Sequence, residues 1–414
     1  MALIVQKFGG TSVGTVDRIR AVSGIIAKTQ RAGHDVVVVV SAMAGETDRL
    51  INLAGALSVE PSARDYDALI STGETVSAAL LSIALQEQKA SAIALTGEQA
   101  GIFTTDNHRR ASITHINAEI IRNYLSKKTI PVITGFQGVN SIGEVTTLER
   151  GGSDTSAVAI AAALKADECQ IYTDVDGVYT ADPRVVPDVK LLELLTYTEM
   201  LTLANLGAKV LHRQAMEFAE RHHIQLRVLS SFHEGEGTMI VVGEKNPPPR
   251  VSGIAIDPHQ LQFSFLGIPS DQSTLDQLMQ ALEGIAFAKD MTMQNHLPTE
   301  DCFDCVFTTR EEDAQAAILF SRALANTLKA RELKIDEGRA KVSLVGLNMA
   351  AHPEFSAKIF QTLGEQQIPI YLITSTEAKI SVLTDVAHAA QATKLLHTAF
   401  ALNCEGAQSL AGCS

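Results

Sequence analysis

Short apolar runs alternate with amphipathic stretches over the first part of the chain. The apolar runs cover residues 2–6, 36–40, 92–95, 130–134 and 170–173. Amphipathic stretches such as residues 76–88 and 155–165 lie between them. Continuous β-branched runs are typical of strands buried on both faces, and helical segments between successive strands favour parallel pairing. The pattern predicts an α/β fold with a largely parallel sheet sandwiched by helices.

A run of three prolines, Pro247 to Pro249, interrupts this pattern, because proline cannot continue a helix or a central strand. We therefore expect one domain over residues 1–245. Beyond it, the sequence predicts a strand at 261–268 and a helix at 275–282. The same order is repeated by a strand at 341–347 and a helix at 355–363. Strands at 368–373 and 379–383 and a helix at 387–400 complete the second copy. This order predicts two ferredoxin-like βαββαβ units, at 251–336 and 337–414, of a kind suited to binding.

Composition narrows the class of protein. The chain has 414 residues, of which 46% are hydrophobic and 20% charged, a balance typical of soluble globular proteins. Acidic residues outnumber basic ones by 47 to 34, so the net charge is −13. A nucleic-acid-binding surface would need a basic stripe, and we expect no nucleic-acid partner. An anionic small substrate stays compatible if the positive charge is local to one pocket.

Cysteine usage and hydropathy bear on location. Five scattered cysteines do not indicate a disulfide framework, and Cys302 and Cys305 lack the second pair that a zinc site would need. No uninterrupted apolar run reaches the roughly 18 residues that span a bilayer. The apolar run after Met1 is too short for a secretory signal. We expect a cytoplasmic protein without a membrane partner.

Two glycine-rich loops carry candidate chemistry. Lys7, Gly9 and Gly10 stand between the first predicted strand and a helical pattern, where backbone N–H groups and a lysine suit a phosphate. Arg150 and Asp154 flank a second glycine pair ahead of another predicted helix. Arginine can hold a carboxylate through two hydrogen bonds. Two such loops in one α/β domain indicate an anion site, although a plain strand–turn–helix with exposed charges stays open.

Other polar stretches are less specific. Residues 173–184 contain several acids, but an EF-hand loop that starts at Asp174 would place Val185 where a glutamate is needed. A pocket rim and a solvated turn both stay open for this stretch. The spacing of Ser71 and Glu74 predicts a capping box at a helix start. Ser41 follows the 36–40 strand, at the edge where open α/β sheets bind ligands.

The motifs together resemble the aspartokinases of the amino acid kinase family. They are KFGGTSV at 7–13, VVVVVSAM at 36–43, STGE at 71–74, GFQGV at 135–139, TTLERGGSDT at 146–155, TDVDGVYTADPR at 173–184 and GAKVLH at 207–212. They occur in the family's order and cover about residues 1–245. The C-terminal repeats resemble the paired ACT domains of that family.

The resemblance implies phosphorylation of the β-carboxylate of L-aspartate by ATP with Mg²⁺, the first step towards lysine, threonine and methionine. It implies no metal site built from protein side chains alone. A carboxylate is already a nucleophile at pH 7, so the enzyme must align two anions and neutralise the transferring phosphoryl group.

The resemblance also assigns residues. Those implied for catalysis are Lys7, Asp154 and Lys209. Those implied for the substrate are Ser41, Thr47, Glu74, Arg150, Gly151, Gly152 and Ser153, with Arg150 on the α-carboxylate and Glu74 on the ammonium group. Those implied for the nucleotide are Lys7, Phe8, Gly9, Gly10, Thr173, Asp174, Tyr179, Arg184, Lys209 and Val210. Those implied for regulation are Gln294, Asn295, Ser375, Thr376 and Glu377.

Two departures from the family pattern stand out. Glu149 occupies a position that is usually glycine, directly before Arg150, and we expect it to weaken aspartate binding or to shift the loop. The Pro-Gly turn that follows the first strand of each ACT domain is replaced by residues 267–272 and 352–355. We therefore expect altered, weakened or absent inhibition by lysine and threonine.

Alternatives remain at this stage. The same fold would also serve a kinase of another acidic substrate, such as glutamate or acetylglutamate. A catalytically weak regulatory partner of an aspartokinase is a third interpretation. ACT domains that pair between chains imply a homodimer or a higher oligomer.

Overall fold

The computed structural model describes residues 1–149, 151–207, 211–244, 248–283, 289–295 and 301–403. The chain divides into two compact units. The first comprises Met1–Tyr179 and Leu191–Lys245, and the second comprises Thr180–Lys190 and Asn246–Ser414.

The first unit has twelve strands among the described residues, and five of them lie on the predicted apolar runs. They are β1 (Leu3–Phe8), β2 (Asp35–Val40), β3 (Ala92–Leu95), β4 (Ile102–Thr104), β5 (Ile113–Ile116), β6 (Ile130–Thr134), β7 (Gln137–Val139), β8 (Val145–Thr147), β9 (Glu168–Thr173), β10 (Leu194–Thr196), β11 (Leu226–Ser230) and β12 (Thr238–Val241). The helices are α1 (Val16–Arg31), α2 (Glu46–Leu57), α3 (Ala63–Ile70), α4 (Thr72–Glu87), α5 (Ala118–Ser126), α6 (Gly152–Leu164), α7 (Tyr197–Asn205) and α8 (Arg213–Arg221).

The main sheet of this unit is largely parallel, as predicted. Among the described residues its order is β10-β12-β11-β9-β1-β2-β6-β3, and β11–β12 is its antiparallel pair. β1 is central and pairs in parallel with both β2 and β9. The strand ends at Phe8, Val40, Thr134 and Thr173 therefore meet at one edge of the sheet, which positions the loops that follow them.

Helices cover both faces of this sheet. Val36, Val38 and Val40 lie on one face of β2. Together with Phe8 of β1, they pack against apolar residues of α1 and α4 in one buried cluster. α6 contacts β1 and β2, and Val37 and Val39 are also fully buried. Burial on both faces explains why β2 is a continuous valine run. A smaller sheet, β5-β4-β7-β8, contains a hairpin over residues 137–147.

The segment Ala63–Glu87 is long and apolar enough to cross a membrane by length and composition alone. Half of its apolar 18-residue stretch is buried inside the protein. It comprises α3 and α4, whose buried side chains include Leu81 and Leu85 in the main core. Core helices of soluble proteins share this composition, so the segment is weak evidence for a membrane span.

The second unit contains β13 (Arg250–Pro269), α9 (Gln272–Leu282), β14 (Lys289–Asn295), β15 (Cys302–Arg310), a 3₁₀ turn (Glu311–Asp313), α10 (Ala314–Thr327), β16 (Glu332–Leu347), α11 (Pro353–Gly364), β17 (Leu372–Thr376), β18 (Lys379–Asp385) and α12 (Val386–Ala399). Its strands form one antiparallel sheet in the order β14-β15-β13-β16-β18-β17. Cys305 is buried in β15 and Cys302 is partly buried, as expected of strand residues.

Two hydrophobic cores lie along this sheet, and the long strands β13 and β16 run through both. Phe263 and Phe265 in the second half of β13 pack in one core with residues of α9, β15 and α10. Val251 and Ile254 in its first half pack in the other core with residues of α11 and α12. The start of β13 thus completes the core of the second repeat, whereas the sequence had placed it in the first.

One predicted strand is shifted. The sequence predicted a strand at 368–373, with residues 374–377 outside it, but β17 begins at Leu372 and includes Thr374, Ser375 and Thr376. Pro369 has no N–H to donate to a neighbouring strand, which disfavours sheet pairing there. The apolar character of 368–373 therefore reflects packing, since Ile368 is buried in the core beside α11.

Candidate active site

Lys7 and Asp154 form an ion pair at the carboxyl edge of the main sheet. Lys7 is near the end of β1, and Asp154 is in the first turn of α6. The Lys7 Nζ and Asp154 Oδ1 atoms are 2.6 Å apart, and the side chains are only 11% and 13% exposed. A partly buried pair is weakly screened by solvent, so the carboxylate holds the ammonium group in one position.

The loop after β1 differs in part from the expectation. The Gly9 N–H donates to the Tyr172 carbonyl at 3.2 Å, so it is already used within the fold. α1 begins only at Val16, after a turn, so its N-terminus does not directly follow the glycines. An added Cβ at Gly10 would lie 2.9 Å from the Ala42 carbonyl oxygen, so this loop packs tightly on the loop after β2.

The side chain of Phe8 does not fit a nucleotide contact. It is fully buried and stacks on Tyr172 with 4.6 Å between ring centroids. Only its backbone reaches the edge, where its carbonyl accepts a hydrogen bond from the Ser41 N–H. The residue belongs to the core because β1 is the central strand of the sheet.

Glu74 has a carboxylate that is buried without a cationic partner among the described residues. It is 3% exposed, and its Oε1 accepts a hydrogen bond from the Ala42 N–H at 3.1 Å. Its Oε2 is buried and has no hydrogen-bond partner within the described part of the chain. Burial raises the pKa of Glu74 to about 7, and the hydrogen bond from Ala42 opposes this shift. Such a carboxylate is suited to a cation that arrives with a ligand.

The predicted capping box at this helix start is wrong. Ser71 has helical backbone angles that continue α3 into α4, and its side chain makes no capping bond. Its hydroxyl donates to the Ala68 carbonyl instead. Glu74 does not reach back to Ser71 because it points towards the loop after β2.

The N-terminus of α6 is built on Gly151. This residue has a φ of +78° and makes no side-chain cap, and an added Cβ would strike the ring of His212. Gly152 N–H donates to the Glu149 carbonyl. Ser153 is buried in the first turn, beside Asp154. The N–H groups of Asp154 and Thr155 also bond within the fold, to the Gly151 carbonyl. What favours an anion at this helix start is therefore mainly the positive end of the helix dipole.

Glu149 is turned towards solvent. Its side chain is 42% exposed, its Oε2 accepts a hydrogen bond from Gln214 Nε2 at 2.8 Å, and its Oε1 lies 3.5 Å from Arg110 Nε. The carboxylate is thus occupied by groups on α8 and on the loop before β5. These contacts give no support to the expectation that it disturbs substrate binding.

The loop after β9 carries the expected nucleotide residues. Thr173 Oγ1 donates to Asp174 Oδ1 at 3.1 Å, and Asp174 is exposed. The Tyr179 hydroxyl donates to Asp176 Oδ2 at 3.1 Å, and His233 Nδ1 lies 3.0 Å from Asp176 Oδ1. These two contacts lower the pKa of Asp176, with His233 the larger cause.

Arg184 belongs to the second unit, within the segment Thr180–Lys190. Its guanidinium is exposed and pairs with the carboxylate of Asp182 at 2.7 Å. Ser41 is partly buried just after β2, and Thr47 is partly buried in the first turn of α2. Arg150, Lys209 and Val210 lie outside the described residues.

The expected regulatory residues lie in the second unit. Gln294 and Asn295 are in β14, in register with Asp304 and Phe303. Ser375 and Thr376 are exposed residues of β17, and Glu377 is in the turn that follows. All of them are therefore at or near an outer strand of the sheet.

Sequence reasoning missed several residues that hold the site together. Ser231 Oγ donates to Ser12 Oγ at 2.8 Å, which joins the loop after β11 to the loop after β1. Asp67 anchors the strand that precedes Arg150. Single serines and a lone aspartate in a helix carry no spacing signal, so only the tertiary structure identifies them.

Two family models and several known proteins match this chain. The model of the amino acid kinase family matches residues 2–230, and an ACT domain model matches residues 342–400. An aspartokinase of Pseudomonas aeruginosa is 44% identical over 99% of this chain and 100% of that protein. Aspartokinase 2 of Bacillus subtilis is 42% identical over 97% of this chain and 98% of that protein.

A solved structure is also similar over nearly the whole chain. It is E. coli aspartokinase III in complex with aspartate and ADP, with a TM-score of 0.72 and 25% identity. The match covers 96% of this chain and 99% of that chain. That structure therefore shares the fold of this chain over nearly its whole length.

Proposed function

We propose a function for this chain on the ground that it belongs to the aspartokinases of the amino acid kinase family. It is an aspartate kinase, which transfers the γ-phosphoryl group of ATP to the β-carboxylate of L-aspartate and forms 4-phospho-L-aspartate. The observation that carries this proposal is the Lys7–Asp154 pair at the sheet edge, with the buried carboxylate of Glu74 on the neighbouring helix α4.

Charge neutralisation is the main task of the protein in this reaction. Aspartate supplies an ionised nucleophile, so no general base is needed, but two anions must approach each other. Lys7, held by Asp154, would stabilise the charge on the transferring phosphoryl group. Because the Gly9 N–H bonds to Tyr172, and the N–H groups of Ser12 and Val13 bond to the Gly9 carbonyl, those of Gly10 and Thr11 would supply the backbone contacts. Lys209 would add a second cation, by the resemblance.

Substrate selection would depend on the two ends of the amino acid. The carboxylate of Glu74 would bind the α-ammonium group of the substrate. The positive charge of that group would offset the cost of burying an ionised carboxylate at this position. Arg150 would hold the α-carboxylate, beside the N-terminus of α6. Ser41, Thr47 and Ser153 would line the space between them. N-acetylglutamate has no free ammonium group, and glutamate would place its side-chain carboxylate about one methylene too far.

Magnesium would enter with ATP. Among the described residues, no group of three or more His, Cys, Asp or Glu side chains is arranged to hold a metal ion. Mg²⁺ in kinases is bound largely by phosphate oxygens and water, with one or two carboxylates. The exposed Asp174 is suited to that supporting role. Thr173, Tyr179 and Arg184 would contact the nucleotide.

Regulation and assembly extend the proposal. The second unit would bind effectors through Gln294, Asn295 and the stretch Ser375–Thr376–Glu377, and control by lysine or threonine would be weak. In the second repeat, Glu354 replaces the family's glycine, and its carboxylate lies 2.7 Å from His352 Nδ1. ACT-type sheets would pair between chains in a homodimer or larger assembly. The compartment that we propose for the reaction is the cytoplasm, where ATP and aspartate are both available.

The test is steady-state release of ADP from MgATP with L-aspartate, L-glutamate or N-acetylglutamate, each with and without lysine plus threonine. Turnover with aspartate alone, little changed by the effectors, supports the proposal. Turnover with glutamate or N-acetylglutamate alone would assign another substrate. Absence of turnover with all three would favour the regulatory-partner alternative.

A further inference from the structure

Asp67 is a fully buried carboxylate that accepts an unusual number of hydrogen bonds. It lies on α3 and has no exposed surface. Its Oδ2 accepts the backbone N–H groups of Thr147 and Arg109, each at 2.9 Å, and lies 3.0 Å from His108 Nδ1. Its Oδ1 accepts the Thr147 hydroxyl at 2.7 Å. Both oxygens are therefore saturated by groups from two other segments.

The bonds between Asp67 and Thr147 connect the α3–α4 segment to strand β8, and the chain on each side leads to a proposed substrate contact. Thr147 is the last residue of β8 and precedes Arg150 by three positions. Asp67 precedes Glu74 by seven positions, and Ser71, between α3 and α4, keeps helical backbone angles. Asp67 therefore links the helical segment that carries Glu74 to the end of β8.

A second contact stiffens the same connection. Gln137 Nε2, from the strand that pairs with β8, donates to the Ser71 carbonyl at 2.8 Å in a buried position. Arg109, whose backbone Asp67 holds, also lies over the ring of Tyr66, one residue before Asp67. The α3–α4 junction is thus fixed to the β7–β8 hairpin at several points.

We infer that Asp67 is a positioning residue for the amino-acid substrate, which sets the spacing between Glu74 and the end of β8. This inference rests on the proposed function. Asp67 does not touch the reacting atoms itself. It fixes the distance between two recognition groups, and an amino acid with both ends bound needs that distance held to a fraction of an ångström.

The chemistry of the bonds explains why a carboxylate is required. Every neighbour of Asp67 described above donates or can donate a hydrogen, and a carboxylate is acceptor-only. An amide in its place would turn one NH₂ group towards the N–H groups of Thr147 or Arg109. One strand end would then move away from α3, and the substrate loop would move with it.

The test compares Asp67→Asn with Glu168→Gln in the full-length protein. Glu168 is a matched control, since its carboxylate is also largely buried in the first unit, accepts bonds from Arg227 at 2.8 Å and Gln170 at 2.9 Å, and starts β9 at the opposite sheet edge. We expect Asp67→Asn to raise KM for aspartate about tenfold or more, with KM for ATP changed less than about twofold. Glu168→Gln should leave both KM values unchanged.

A second pair of variants applies if Asp67→Asn does not fold. Thr147→Val removes the hydroxyl that bonds to Asp67 Oδ1, whereas Thr147→Ser keeps it. We expect the valine variant to raise KM for aspartate selectively and the serine variant to restore it. Equal changes in both KM values, or valine and serine variants that behave alike, would overturn the inference. A wild-type protein without activity on aspartate would instead overturn the proposed function.

Discussion

Lys7 Nζ lies 2.6 Å from Asp154 Oδ1, although the two residues are 147 positions apart and come from the central strand and from the helix that follows the second glycine loop. The pair is largely shielded from solvent. It joins the two glycine loops that the sequence marks as anion sites, and it places a fixed positive charge where the strands end.

Loss of either member of this pair should reduce turnover. We expect Lys7→Ala and Asp154→Asn to lower kcat about 100-fold or more, because a preorganised charge aimed at the phosphoryl group is lost or displaced. Coupled measurement of ADP release gives kcat directly. Lys28→Ala is the control, since Lys28 pairs with Glu234 on the exposed surface and should keep full activity. Normal kcat in Lys7→Ala would remove Lys7 from the mechanism.

Aspartate binding should depend on the ionisation of Glu74. With its pKa at about 7, Glu74 is mostly neutral at pH 6 and mostly ionised at pH 8. Only the ionised form attracts the substrate ammonium group. We expect KM for aspartate to be about tenfold higher at pH 6 than at pH 8. Initial rates at saturating MgATP across this range measure it.

Glu74→Gln and Glu119→Gln separate this effect from other titrations. Glutamine at 74 should give a high KM that no longer changes with pH, and the exposed Glu119 should behave like wild type. Since the folded pKa of Glu74 lies above its unfolded value, the contribution of Glu74 to stability is greatest below about pH 4.5 and is lost as the pH rises to about 7. Glu74→Gln should therefore raise Tm at pH 8 more than at pH 5. An unchanged pH profile in the variant would contradict the assignment.

Gly151 should not tolerate a side chain. Its φ of +78° and the ring of His212 both oppose a Cβ, so we expect Gly151→Ala to lower Tm and to raise KM for aspartate about tenfold or more. Gly143→Ala is the matched control, because Gly143 has a φ of +84° with open space around it. If backbone strain alone mattered, Gly151→Ala and Gly143→Ala would lose activity equally. A loss of activity in Gly151→Ala only would support a role for Gly151 at the site.

Glu149 should be neutral for catalysis. Because its carboxylate is directed to Gln214 and Arg110 at the surface, we expect Glu149→Gly to change KM for aspartate by less than about threefold. Measured kcat and KM for the variant test this. A tenfold lower KM in the variant would show that the glutamate weakens binding after all.

The sequence was sufficient for the architecture where local pattern and tertiary environment agree. The apolar runs at 36–40 and 130–134 form strands as predicted because every residue in them is buried. The predicted strand at 368–373 began too early. Ile368 is as apolar and buried as a strand residue, but Pro369 has no N–H to donate to a neighbouring strand. The sharing of β13 between two cores also has no local signal, because it depends on which helices pack against each half of the strand.

The site was predictable only as far as its motifs reach. Lys7, Glu74 and Asp154 belong to recognisable stretches and lie at the same sheet edge or beside it. The burial of Phe8 and the hydrogen bond of Gly9 depend on a neighbouring strand, which the loop sequence does not reveal. Asp67 gives no signal at all, because its role arises from partners about 40 and 80 residues away along the chain.

The most direct test of the central claim is chemical trapping of the product. Incubation with MgATP, L-aspartate and hydroxylamine should convert the acyl phosphate to aspartyl β-hydroxamate, in amounts that match the ADP released. Lys7→Ala should form almost none. Stoichiometric β-hydroxamate from aspartate, with none from glutamate, is the result we predict. ADP release without hydroxamate, or hydroxamate formed equally from glutamate, would contradict the assignment of this chain as an aspartate kinase.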